Sequence, residues 1–272
     1  MVSGELLGGD HEVSAAMAGR LLALTDLTTL EATDHVESVE AFCRKALAIR
    51  PSVDGVERSV AAVCVYPVFA SAVRRMLEGS GIRTAVVAGG FPSAQMLLRL
   101  RAEECRIAIE EGAEEIDMVI SRGRFLEGDV GFLTEEVGLF AGLCSGKAVL
   151  KVILESGELQ REELIRLASR LSLEAGADFI KTSTGKVMPG ATPESFAWML
   201  DEVVCHYERT GLRCGVKVSG GISEPAVAAY YYRVMADRVG QEWMSERYFR
   251  LGASRLADKL VAVTGSSSGY TP

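Results

Sequence analysis

Eight short apolar runs, separated by longer stretches in which apolar residues recur at helical spacing, constrain the fold of this chain more than any other feature. The runs lie near Leu24–Leu30, Ala61–Tyr66, Thr84–Ala88, Glu115–Ile120, Ala148–Leu154, Phe179–Thr182, Gly215–Ser219 and Phe249–Ala253. Between them the spacing predicts helices near Ser38–Ile49, Phe69–Glu78, Ala94–Glu111, Phe132–Cys144, Arg161–Ala175, Pro193–Arg209 and Pro225–Val239. Such a succession requires right-handed crossovers and a parallel sheet. Eight strands close a (β/α)₈ barrel, and 272 residues suit one built as a single domain. An open doubly wound sheet is the alternative. It would usually carry a glycine-rich nucleotide loop after its first strand, and neither G-x-G-x-x-G nor G-x-x-x-x-G-K-[ST] occurs. The expectation is therefore a barrel domain over 1–263, followed by a flexible Gly/Ser-rich tail over 264–272 that carries Tyr270.

Charge narrows the function classes. With 29 basic and 37 acidic residues the net charge is −8, which disfavours a nucleic-acid or anionic-membrane surface. Any anion site must then be a local concentration of positive potential. No uninterrupted apolar stretch approaches the length of a membrane span, and Met1–Asp10 lacks the basic and apolar regions of a signal peptide. Six scattered cysteines without Cys-x-x-Cys predict free thiols and a cytoplasmic protein.

Side chains alternate along a strand, so parity assigns the charged residues to a face. Ile116, Met118 and Ile120 oppose Asp117; Val152 and Leu154 oppose Lys151; Val216 and Val218 oppose Lys217. Barrel strands turn apolar side chains outward against the helices, so these charges point into the lumen. A weak repeat, Gly112-Ala-Glu-Glu-Ile-Asp117 against Gly176-Ala-Asp-Phe-Ile-Lys181, places Asp117 and Lys181 at equivalent points of the fourth and sixth strands. Lys151 sits early in its strand and reads as a structural ion-pair partner. Three ionisable groups at Asp117, Lys181 and Lys217 exceed what a stabilising core needs, because apolar side chains fill a barrel at lower cost.

A buried lysine beside a second cation loses its proton more readily and becomes a nucleophile. Lys181 is the candidate amine, and Lys217 the second cation. The amine can condense with an aldehyde to an iminium, while Asp117 exchanges a proton through Lys217 or a water. No metal or cofactor is expected: His11, His35 and His206 have polar neighbours and read as surface residues. Phosphate-site features collect after the last three strands, at Thr184-Gly185-Lys186, Ser219-Gly220-Gly221 and Gly252-Ala253-Ser254. The residues themselves leave open a Schiff-base enzyme for another sugar phosphate, or a catalytically silent barrel.

The motifs resemble one family over about Leu24 to Ala257. Asp26-Leu-Thr-Thr-Leu30, Val63-Cys-Val-Tyr-Pro67, Gly90-Phe-Pro92, Glu115-Ile-Asp-Met-Val119 and Leu150-Lys-Val-Ile-Leu-Glu155 stand in its order. They are followed by Phe179-Ile-Lys-Thr-Ser-Thr-Gly-Lys186, Gly215-Val-Lys-Val-Ser-Gly-Gly-Ile222 and Phe249-Arg-Leu-Gly-Ala-Ser254. The sequence resembles the deoxyribose-phosphate aldolases, metal-independent Schiff-base aldolases. The resemblance implies cleavage of 2-deoxy-D-ribose 5-phosphate to D-glyceraldehyde 3-phosphate and acetaldehyde, in a cytoplasmic, commonly dimeric enzyme of deoxynucleoside catabolism. It implies Lys181 as the Schiff-base lysine, Lys217 as second lysine, Asp117 as relay acid and Asp26 as a supporting acid at the end of the first strand. It places Lys186, Gly220, Gly221, Gly252 and Ser254 around the phosphate. Ser121, the Ala88-Gly-Gly-Phe91 approach, Met188-Pro-Gly190 and Arg255 depart from the usual pattern, and Arg255 could face the phosphate or lie outside on the last helix.

Overall fold

The computed structural model describes residues 13–265. Eight parallel strands close a (β/α)₈ barrel: β1 (Thr25–Thr28), β2 (Ala62–Val65), β3 (Arg83–Ala88), β4 (Glu115–Val119), β5 (Val149–Ile153), β6 (Phe179–Lys181), β7 (Gly215–Ser219) and β8 (Phe249–Ala253). Each strand pairs with its sequence neighbours, and β1 closes the ring on β8 with Asp26 level with Gly252. The seven expected helices are present within a few residues of their predicted ends. The pattern did not reveal the helix Ala15–Ala23 before β1, the short helices Arg122–Leu126 and Ser156–Leu159, or the closing helix Leu256–Val263. It also missed a small hairpin pairing Ser52–Val53 with Val56–Glu57. These pieces span too few turns or residues to show a period. Met1–Asp10, His11 and the tail from 266 onward, Tyr270 included, lie outside the described residues.

The weak repeat marks two equivalent joints. At each, the glycine ends a helix with positive φ, 101° at Gly112 and 103° at Gly176, a backbone that residues with a Cβ rarely adopt. The next amide reaches back into the helix, Ala113 to the Ala108 carbonyl at 3.0 Å and Ala177 to that of Ser172 at 3.1 Å. The acid that follows accepts a backbone N–H at the foot of the preceding strand: Glu114 from Thr84 at 3.0 Å, Asp178 from Leu150 at 2.8 Å. One local solution thus sets the height of β4 and β6.

The main core lies between strands and helices and includes Val63, Val86, Ile116, Val152, Ile180, Val216 and Leu251. The opposite parity fills the lumen with small groups, Ala62, Cys64, Ala85 and Val87 beside Val119 and Ile153, and with charges. Ser121 belongs to a buried network outside the lumen. Its hydroxyl donates to Glu136 (2.8 Å) and accepts from Arg101 (2.6 Å), whose guanidinium also binds the Gly89 and Val119 carbonyls. The departures at Ser121 and Gly89 therefore anchor the ends of β3 and β4.

His35 is exposed, but His206 is buried, which corrects the surface reading. Its helix turns it onto the face of Met199 and Val203 while its polar neighbours face out, and burial, with Arg209 adding, holds its imidazole below the ordinary value. All described cysteines are free thiols, with Cys205 alone exposed. No helix among the described residues is long and apolar enough to cross a membrane.

At the lower end the Phe179 ring fills the space that a side chain at Gly215 would need; a Cβ there would stand 2.2 Å from the ring. Gly215→Ala is expected to destabilise the protein by about 1–3 kcal/mol through overpacking, measured by urea unfolding. An unchanged midpoint would show that the plug is loose.

Candidate active site

Three acids and four cations occupy the lumen. Asp117 is central: its Oδ2 accepts from Lys181 Nζ and Lys217 Nζ, each at 2.7 Å, and its Oδ1 from Lys151 Nζ at 3.0 Å. The strands bring these groups together by register. Asp117 is level with Lys151 on β5, and Lys181 is level with Lys217 on β7. Lys151 pairs with Phe179, two residues below Lys181 on β6, so it sits deeper as its place in the strand predicted. It also binds Asp26 at 3.3 Å and, closely, Glu115. All of these side chains are buried, and Lys181 retains only 3% exposure.

Asp26 is the second residue of β1, not its end, which corrects the expected location. From there it binds Lys217 Nζ at 2.5 Å and Arg250. Gly252, level with Asp26, makes room for this contact: a Cβ there would stand 3.0 Å from Lys217 Cε and 2.9 Å from Ser219 Cβ. Glycine is therefore required beside the second lysine.

The surroundings separate the two lysines. Burial pushes the Lys181 amine below its ordinary range; Asp117 opposes this and Lys217 reinforces it. Burial acts on Lys217 in the same sense, but Asp117 and Asp26 overcome it and hold the ammonium above its ordinary range. Burial alone would raise the Asp117 carboxyl. Lys151, Lys181 and Lys217 instead hold it well below the usual carboxylate range. One amine is thus biased toward its neutral form beside a fixed cation and a fixed anion.

Lys181 opens onto a cavity of about 270 Å³ at the C-terminal end of the strands. Its walls include Thr184, Lys186, Gly220, Gly221, Gly252 and Ser254, so the structure brings all six phosphate candidates to one space. Arg255 lines it too, as the exposed residue preceding the last helix. Gly220 and Gly221 have φ of 84° and 85°, and the Gly220 backbone lies so close to Gly190 that neither could carry a side chain. The Met188-Pro-Gly190 segment is thereby packed against the loop after β7. Thr184 lines the cavity, but its hydroxyl is engaged: it donates to Glu155 at 2.5 Å and accepts from the Lys186 amide at 3.1 Å. Its part is to shape the loop. A larger depression, about 720 Å³, opens at the opposite end around Arg74, Arg83 and Lys147, remote from Lys181.

Sequence reasoning passed over Glu115, Arg250 and Glu155. Glu115 and Arg250 share the parity of Asp117 and Gly252, so alternation alone would have turned both inward. Glu155 follows β5 in left-handed backbone (φ 58°) and binds Arg122 and Thr184, a placement with no periodic signature. Among the described residues no three His, Cys, Asp or Glu side chains are grouped to hold a metal ion.

The model of the DeoC/LacD family of aldolases matches residues 18–243. A deoxyribose-phosphate aldolase from Bos taurus is 38% identical over 256 residues, covering 90% of this chain and 80% of its own. A crystal structure provisionally described as a deoxyribose-phosphate aldolase from Toxoplasma gondii ME49 superposes with a TM-score of 0.80 at 25% identity, over 92% of this chain and 95% of that one. A deoxyribose phosphate aldolase from Aeropyrum pernix, described as a tetramer, shares the fold with a TM-score of 0.68 at 24% identity, over 95% of this chain and 99% of that one.

Asp117→Asn leaves buried ammonium groups short of an anion and is expected to lower the unfolding free energy by about 3–5 kcal/mol at pH 7. The Asp117 carboxyl is depressed in the fold, so its contribution is complete above the unfolded value and is lost as pH falls through the folded one. The gap between wild type and variant should therefore narrow in urea titrations at pH 3. A gap independent of pH would contradict the assigned ion pairs.

Proposed function

The chain belongs to the DeoC/LacD family of aldolases, and from that premise we propose that it cleaves 2-deoxy-D-ribose 5-phosphate reversibly to D-glyceraldehyde 3-phosphate and acetaldehyde. The observation that carries this reading is a buried amine, biased toward its neutral form, at the floor of a cavity whose rim is glycine-rich and basic.

Lys181 Nζ adds to the aldehyde of the open-chain sugar, and loss of water gives the iminium. The hydroxyl proton on the third carbon leaves, that oxygen becomes a carbonyl, and the bond between the second and third carbons breaks. Its electron pair moves into the iminium to form an enamine. The departing proton reaches Asp117 through Lys217 or a water and returns to the second carbon, after which hydrolysis frees acetaldehyde and Lys181. Lys217, held as a cation by Asp26 and Asp117, keeps positive potential beside the reacting nitrogen. The phosphate lies against Gly220, Gly221, Gly252 and Ser254, with Lys186 and Arg255 supplying local positive potential in a chain of net charge −8.

We take 1–263 as one barrel domain, with 264–272 as its tail, and the active species as a cytoplasmic homodimer; sedimentation of the purified protein tests the assembly.

Borohydride reduction with acetaldehyde should leave an ethyl group on Lys181, identified by peptide mapping. Lys181→Leu should abolish the adduct and lower turnover by roughly 10³-fold or more, the scale lost when a nucleophile is removed. Folded wild type without an adduct, or faster cleavage of another sugar phosphate, would overturn the assignment. Lys186→Gln should raise KM for the phosphorylated sugar about tenfold with kcat nearly unchanged, as expected for binding shared by ground and transition states. An equal effect on unphosphorylated deoxyribose would remove Lys186 from the phosphate site.

A further inference from the structure

The lumen charges do not cancel. Lys151, Lys181, Lys217 and Arg250 face Asp26, Glu115 and Asp117, which leaves one cation in excess among the described residues. The partners are unevenly shared. Lys151 touches all three acids. Lys217 touches Asp117 and Asp26, and Arg250 touches Asp26 and Glu115, the latter at 2.6 Å. Lys181 has Asp117 alone. It is also the one of these four that reaches the cavity. A buried cluster sheds charge most cheaply by neutralising its least-paired member.

We infer that Glu115, Lys151 and Arg250 are positioning residues for the aldol reaction, setting the charge balance of the lumen so that its single surplus proton is the one Lys181 gives up. This deepens the Schiff-base reading and rests on it. None of the three lines the cavity, so none touches substrate. They act through shared acids. Glu115 draws on Lys151 and Arg250; these then compete less for Asp117 and Asp26, which are left to fix Lys217 and to bind Lys181. The remaining groups around Lys181 do not disturb the count. Cys64 on β2 is a buried thiol with its value raised by burial, and so stays neutral. Glu155 is paired with Arg122, and Lys186 with Glu31 at the rim. Arg255 is exposed. Arg83 approaches Glu115 to 3.7 Å from the lower end, but its side chain is 40% exposed and solvent screens its charge.

The inference predicts signs that packing alone would not. Glu115→Gln removes an anion, disfavours the ammonium form of Lys181, and should move the acid limb of the rate–pH profile down by on the order of one pH unit. Lys151→Met removes a cation and should move it up by a similar amount. Arg250→Met makes the same charge change from another strand and serves if Lys151→Met does not fold. The double variant Glu115→Gln/Lys151→Met restores an excess of one cation and should return the limb to the wild-type position, despite losing two buried charges.

The measurement is the pH dependence of acetaldehyde adduct formation on Lys181, alongside kcat/KM for deoxyribose 5-phosphate. Opposite shifts in the single variants with recovery in the double support the inference. Limbs that stay fixed, or shift in one direction for both, overturn it. Absence of any adduct in wild type would instead overturn the Schiff-base reading itself, so the two failures are distinct.

Discussion

Asp117 binds three buried lysine side chains inside the barrel, and much of the barrel is arranged around that fact. A carboxylate and three lysines buried together would be costly if any were unpaired, because each charge has lost its hydration. The strands meet this by register: β4 sets Asp117 level with Lys151, and β6 and β7 set Lys181 level with Lys217. Asp26 from β1 and Arg250 from β8 complete the ring. Small interior residues on β2 and β3 leave room for long side chains from the opposite wall. Gly252 clears the last contact, beside Lys217.

The same arrangement lets two lysines of one site behave differently. Both are buried and both touch Asp117. Lys217 has a second acid at 2.5 Å and stays charged; Lys181 lacks one and opens to the cavity. A catalytic amine needs only this asymmetry in partners. The rim above repeats the theme at lower cost, for there the groups are backbone amides, a hydroxyl turned away by Glu155, and basic side chains partly in solvent. Glu155 links the loop after β6 to Arg122, so the floor and rim of the cavity are held by separate polar networks.

Most of the fold was legible because barrel strands and their covering helices have distinct periods, and each of the eight runs was long enough to show its own. The centre of the site was legible for related reasons: alternation turns Asp117 and Lys217 inward, and the Gly-Ala-acid repeat puts Lys181 at the point equivalent to Asp117. The same rule would have found Glu115 and Arg250, which were passed over because they stand at or near the starts of their strands, where alternation has few neighbours to confirm it. His206 was misjudged from its sequence neighbours, although a helix face is decided three and four residues away. Thr184 lines the cavity as expected, but the direction of its hydroxyl depends on Glu155, twenty-nine positions earlier.

The sequence by itself determined the strand count, the inward set of charges and the glycines that admit a ligand at one end, because these follow from local period and from the backbone each residue permits. Only the tertiary structure decided which acid serves which cation. That pairing depends on stagger between strands far apart in the chain, and on ångström distances that no spacing encodes. Lys151 touches three acids, Lys217 two and Lys181 one, and this pairing is what distinguishes the three lysines.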